Sequence, residues 1–244
     1  MTARTPPALP VVALHGFTQT GRSWEPVTAE LRERLPGVEI ATPDLPGHGD
    51  GGDAVDLATA ATALADRFGR SIWIGYSMGG RHLLRLAIDR PEAVAAMVLI
   101  SATAGIDDDT ERAARRAADD RLAEHLLDIG VDAFLGEWLA QPMFAGRLGD
   151  DDRRTRSTRA DGLAGSLRLA GTGTMSPLWG HLATTAIPTL VITGSDDTKF
   201  CEIGRRLAAT IPGASHSVVA GAGHAVHLER PAEVAARIAS WLAG

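Results

Sequence analysis

Gly75, Ser77 and Gly79 form the most chemically specific pattern in the chain, Gly-Tyr-Ser-Met-Gly. The pattern falls where an apolar run at 71–77 meets a stretch with apolar residues at every third or fourth position. A serine on such a strand-to-helix turn has an exposed hydroxyl on a strained backbone. Side chains in place of the glycines would collide with the neighbouring strand and helix. A helix beginning at Met78 points the positive end of its dipole at negative charge forming near Ser77. A serine hydroxyl is a weak nucleophile and a weak base at neutral pH, so it needs an imidazole to take its proton and a carboxylate to orient that imidazole. Two later segments offer these groups: the run at 187–194 leads into Asp196 and Asp197, and the run at 216–221 leads into His224. His224 directly follows a strand and a glycine turn, whereas His227 opens the segment leading to the last helix; His224 is therefore the expected base. The His224-x-x-His227 spacing has no third ligand beside it, so no metal or other cofactor is expected, and His227 is assigned to packing or capping.

Such groups must be carried to one edge of a common scaffold. Six short apolar or β-branched runs, at 10–16, 38–44, 71–77, 95–101, 187–194 and 216–221, are expected as buried strands. Between them, 23–35, 54–68, 78–90 and 231–242 carry helical periodicity. This alternation calls for an α/β fold, a mostly parallel sheet covered by helices on both faces. From about 105 to 185 the alternation gives way to helical pieces rich in Arg and Asp. That stretch is expected as a helical lid over the site, inserted into a single domain (1–244) whose core is 1–104 and 186–244. Its mixed charges, such as Asp150, Asp151 and Asp152 beside Arg153, Arg154 and Arg156, read mainly as a solvated face.

The elbow in this setting resembles the α/β-hydrolase fold. The resemblance implies Asp197 rather than Asp196 as the acid, because Asp197 completes Gly-x-x-Asp from Gly194. It also implies an oxyanion hole made of the backbone N–H groups of Phe17, in the turn after the first strand, and Met78. His15 is then a loop-shaping residue.

Composition narrows the partners. The chain has 244 residues, 45% of them apolar, enough for a sizeable core. A formal charge of −6 argues against nucleic acid, which needs a basic face. No run approaches the roughly 20 apolar residues of a membrane span, and the start lacks the apolar stretch of a signal peptide, so a cytoplasmic protein is expected. The lone Cys201 is expected as a small buried residue. Lys199 is the only lysine; every other basic residue is arginine, which suits bidentate carboxylate recognition.

The segments at 14–24, 44–49, 75–81, 137–144, 162–179, 194–200 and 221–231 together resemble the 2-succinyl-6-hydroxy-2,4-cyclohexadiene-1-carboxylate synthase family of menaquinone biosynthesis. The more specific signatures are the arginine closing GYSMGGR, the WxxQPxF block, the GTG segment ending in PLW, and Asp197-Thr-Lys-Phe200. The resemblance implies a lyase that eliminates pyruvate from a small polycarboxylate. It also implies substrate contacts from Arg81, Arg115, Trp138 and Tyr76, with a further arginine at either Arg156 or Arg159. Met175 stands where the family often has glutamine, which bears on the shape of the pocket. A carboxylesterase or C–C hydrolase, in which Ser77 would attack a carbonyl, is the competing reading. A non-catalytic ligand receptor on the same scaffold is a third.

Overall fold

The structure, a computed structural model, describes residues 9–144 and 150–244. The amino-terminal residues 1–8 and the side chains of Asp150, Asp151 and Asp152 lie outside the described residues. In chain order the elements are β1 (Val11–Leu14), α1 (Glu25–Arg34), β2 (Ile40–Ala41), α2 (Leu57–Phe68), β3 (Ser71–Tyr76), α3 (Met78–Asp89) and β4 (Val94–Ile100). Next come α4 (Asp109–Ile129), α5 (Val131–Leu139), α6 (Ala160–Ala170) and α7 (Trp179–Leu182). The chain then completes the sheet with β5 (Thr189–Gly194), α8 (Thr198–Thr210), β6 (Ser215–Val219), α9 (Val226–Glu229) and α10 (Pro231–Ala243). Among the described residues no helix is long and apolar enough to cross a membrane.

The sheet order is β2-β1-β3-β4-β5-β6, with every described pairing parallel. Alternation along each central strand sends side chains to two separate cores. Val12, Leu14, Trp73, Met97, Leu99 and Val191 meet α2, α3 and α8 on one face. Val11, Ala13, Ile74, Val98, Ile100 and Ile192 meet α1 and α10 on the other. Each of the Val, Leu, Ile and Met side chains among them, fully buried, contributes about 1.5–3 kcal/mol relative to exposure. All six expected strands form, but the sixth is not buried: Ser215 and Val218 are exposed and only Val219 is covered. Both residues of β2 are likewise half-buried. These two are the edges of the sheet, and among the described residues no strand pairs along their outer flanks.

Between β4 and β5 the inserted helices build a small core of their own from Ala123, Leu126, Phe134, Leu163, Ala164 and Leu167. Asp108 starts α4 by accepting from the Glu111 N–H at 2.8 Å, as an N-cap should. The two glycines of the GTG segment account for the close approach of α4. A Cβ on Gly173 would fall 2.2 Å from the Arg116 backbone nitrogen, and one on Gly171 2.7 Å from Asp119 Oδ2.

Register brings the functional loops together. Leu14 pairs with Gly75, Tyr76 with Ile100, Ile100 with Ile192 and Gly194 with Val219, so the carboxyl ends of five strands share one rim. The strand order reverses between β1 and β3, which places the loops after these two strands beside the crevice where α/β sheets bind ligands.

Candidate active site

Ser77 follows β3 with φ 50° and ψ −105°, a conformation that costs an ordinary residue about 1–3 kcal/mol. The turn is possible because a Cβ on Gly79 would lie 2.2 Å from the Leu14 carbonyl oxygen, and one on Gly75 would lie 2.6 Å from that of Gly79. The Ser77 hydroxyl lies 3.1 Å from His224 Nε2, and His224 Nδ1 lies 2.7 Å from Asp197 Oδ2. The other Asp197 oxygen caps α8 by accepting from the Phe200 N–H at 3.2 Å, which orients the carboxylate. Asp196 instead accepts from the Ser195 hydroxyl, away from the imidazole. Gly194 lets the two loops meet, since a Cβ there would sit 2.2 Å from the Ala222 carbonyl oxygen. His224 is buried, with Phe200 against its ring at 4.4 Å.

The N–H of Met78 opens α3 and has no intrahelical acceptor. Phe17 stands in the loop after β1, its ring against Trp138 of α5 at 5.1 Å. Among the described residues neither backbone N–H donates a hydrogen bond. His15 shapes this loop as a neutral ring: Nε2 must accept from the Leu45 N–H at 2.9 Å, so Nδ1 carries the hydrogen shared with the Gly16 carbonyl. Burial lowers its pKa to about 4.

These groups open onto a cavity of about 1050 Å³. Arg81, Arg115, Trp138 and Tyr76 all line it. Arg81 lies one turn along α3 from Ser77 and donates to the Ala170 carbonyl at 3.0 Å. Burial, with Arg115 nearby and Asp119 partly offsetting both, lowers its guanidinium to about 10, so it stays charged at neutral pH. Its Nε is buried without a hydrogen-bond partner. Arg115, on α4, is held by Asp119 Oδ1 at 2.8 Å. The neighbouring Arg112 is engaged by Asp109 and by the Ile106 carbonyl. Tyr76 is only 3% exposed, its ring 4.1 Å from His227 and 5.5 Å from His224.

Of the two arginines that the sequence left open, Arg156 is buried and lines the cavity, whereas Arg159 turns outward to Gly52 and Asp53. Met175 lies away from this cavity, buried in the core and beside a smaller pocket near Asp56 and Arg85, so it does not shape the main wall. His227 is fully buried between Trp24 and Tyr76, and neither ring nitrogen has a hydrogen-bond partner. Among the described residues no cluster of His, Cys, Asp and Glu could hold a metal. Sequence reading missed Asp119 and Arg206. The first was detectable as the i+4 partner of Arg115. The second stacks its guanidinium 3.7 Å from the Trp179 ring centroid and pairs with Asp107 at 2.5 Å at the cavity wall, a contact no sequence spacing signals.

Residues 11–237 match the model of the alpha/beta hydrolase family. A Bacillus subtilis (strain 168) protein, provisionally named 2-succinyl-6-hydroxy-2,4-cyclohexadiene-1-carboxylate synthase, is 37% identical, with 91% of this chain and 85% of that one covered. The synthase of that name from Escherichia coli O1:K1 / APEC is 30% identical over 97% of this chain and 95% of its own. Among solved structures, MenH from S. aureus superimposes with a TM-score of 0.90 at 29% identity, covering 99% of this chain and 96% of that one. A thermophilic esterase from Thermogutta terrifontis, at 24% identity and a TM-score of 0.80 over 98% of this chain and 91% of its own, shares the fold. The chain therefore belongs to the alpha/beta hydrolase family, in the branch of it formed by the 2-succinyl-6-hydroxy-2,4-cyclohexadiene-1-carboxylate synthases.

Proposed function

We propose that this protein is a lyase of menaquinone biosynthesis. It eliminates pyruvate from 2-succinyl-5-enolpyruvyl-6-hydroxy-3-cyclohexene-1-carboxylate, using Ser77, His224 and Asp197. The observation that carries the reading is the company Ser77 keeps: one cavity is lined by it together with Arg81, Arg115 and Arg156. A substrate with several carboxylates needs such a wall in a protein of net charge −6, and a neutral ester does not.

In this mechanism His224, oriented by Asp197, takes the Ser77 proton, and the Ser77 oxygen removes a proton from the ring. The electron pair moves through the conjugated system and breaks the C–O bond to the enolpyruvyl group. That group departs as the enolate and regains a proton from the His224 imidazolium, leaving as pyruvate. The arginines and the N–H groups of Phe17 and Met78 stabilise the spreading charge more in the transition state than in the ground state. The helices between β4 and β5 act as a lid that keeps water from the site, with Trp138 covering the ring. The reactants are small anions, and the reading takes the enzyme as cytoplasmic and free of cofactor.

A coupled assay for pyruvate on the purified protein tests this. Pyruvate release that disappears in Ser77→Ala supports it. Burst hydrolysis of aryl esters, with no pyruvate from the enolpyruvyl substrate, would replace it with a hydrolase.

A further inference from the structure

The loop that follows β1 is gripped by the insertion on two sides. Beside Phe17, Thr18 adopts φ 67°, a left-handed conformation that a β-branched residue rarely takes. Internal bonds alone do not brace it: Gln19 ties back to Gly16 through N–H to carbonyl at 3.2 Å and through its side chain at 2.9 Å, bypassing Thr18. The restraint on Thr18 comes from residues 155–157. Ser157 N–H donates to the Thr18 carbonyl at 2.7 Å and Thr20 N–H to the Thr155 carbonyl at 2.8 Å, forming a short antiparallel bridge between Gln19 and Arg156. The Arg156 side chain completes the clamp, donating from Nη1 to Thr18 Oγ1 at 2.7 Å while lining the cavity. On the opposite side, the Phe17 ring packs against Phe134 and Trp138 of α5.

We infer that Arg156 is a positioning residue acting through Thr18: it holds the strained turn that aims the Phe17 N–H at the site, as well as bordering the substrate space. The inference rests on the reading of Phe17 N–H as an oxyanion donor. It makes the insertion part of the machinery that stabilises negative charge, as well as a cover. A backbone that would otherwise relax out of the left-handed region is kept there by a charged hydrogen bond and two backbone hydrogen bonds shared with a segment 138 residues later in the chain.

Thr18→Val removes the hydroxyl and keeps the shape, Thr18→Ser keeps the hydroxyl, and Arg156→Gln removes the charge. Two measurements on each variant separate positioning from simple substrate binding. One is hydrogen–deuterium exchange of the amides at 16–20. The other is the rate at which an uncharged fluorophosphonate labels Ser77, forming the O–P bond, expelling fluoride and passing the serine proton to His224. An uncharged probe has no carboxylate with which to sense a lost arginine.

The expected result is faster exchange at 16–20 and labelling slowed about tenfold or more in Thr18→Val and Arg156→Gln, with Thr18→Ser close to wild type. For pyruvate release, Thr18→Val should lower kcat and leave KM nearly unchanged. Exchange at 16–20 that is unaltered in both variants, or an Arg156→Gln that raises KM while labelling stays within about twofold of wild type, overturns the inference. A protein that releases no pyruvate sinks the lyase reading alone, because the exchange measurement still decides whether Arg156 holds the loop.

Discussion

Adding one methyl group at Gly173 should disable the anion-binding wall without touching the serine. The Cβ of an alanine there would stand 2.2 Å from the Arg116 nitrogen and 2.8 Å from the Arg115 carbonyl carbon, whereas real Cβ atoms stay beyond 3.0 Å. Both obstacles are backbone, so no side chain can swing aside, and α4 must withdraw by about 0.8 Å, the gap between 2.2 and 3.0 Å. Arg115 and Asp119 move with it, which changes the charges that Arg81 feels. A misplacement of about 1 Å can cost on the order of 100-fold when it disturbs reacting geometry. Displacing a binding group rather than the reacting atoms should cost less, so the expected change is an increase in KM for pyruvate release of about tenfold, with kcat falling less. Overpacking adds a loss of about 1–3 kcal/mol in stability, seen as a lowered Tm. Steady-state kinetics by the coupled pyruvate assay, with a thermal melt on the same preparation, read both. A Gly173→Ala protein with wild-type KM and wild-type Tm would refute the argument that these glycines set the position of α4.

Three further outcomes are expected. Asp197→Asn leaves the cap of α8 largely in place but deprives His224 of the charge that fixes its tautomer, so kcat should fall by about 10³–10⁴ while the circular dichroism spectrum is unchanged; a tenfold loss or less would move the orienting role elsewhere. Arg81→Met keeps much of the apolar stem and should raise KM for the polycarboxylate strongly while uncharged phosphonates label Ser77 at the normal rate; parallel losses in both would mean that Arg81 supports the elbow itself. Acid should destabilise the fold through its buried imidazoles. Burial holds His15 and His82 at about 4 and His48 at about 3, and also pushes His227 well below the ordinary value. The unfolded chain takes up these protons near pH 6.5 while the folded one refuses them. Stability is therefore full above that pH and declines as pH falls toward 4, by up to about 1.4 kcal/mol per pH unit for each such group. Denaturant midpoints that stay level between pH 6.5 and 4.5 would contradict this.

Local patterns carried much of this protein's identity in the sequence itself. The strand runs, the amphipathic stretches and the glycine-flanked serine are short-range features, and each follows from side-chain periodicity or from the space a turn allows. The branch of the family was legible from motifs spread along most of the chain, the insertion included. Edge position was not legible: 216–221 reads like an interior strand, yet Val218 is exposed on β6, beyond which no strand pairs among the described residues. Only the assembled fold could choose between Asp196 and Asp197 by contact with His224, or between Arg156 and Arg159 by burial, because residues a few positions apart differ in direction rather than in type. The same holds for Met175, whose chemistry suits either a pocket or a core until the packing around it is known. The clamp between Arg156 and Thr18 joins segments 138 residues apart through hydrogen bonds that no periodicity encodes, so it belongs to the tertiary structure alone.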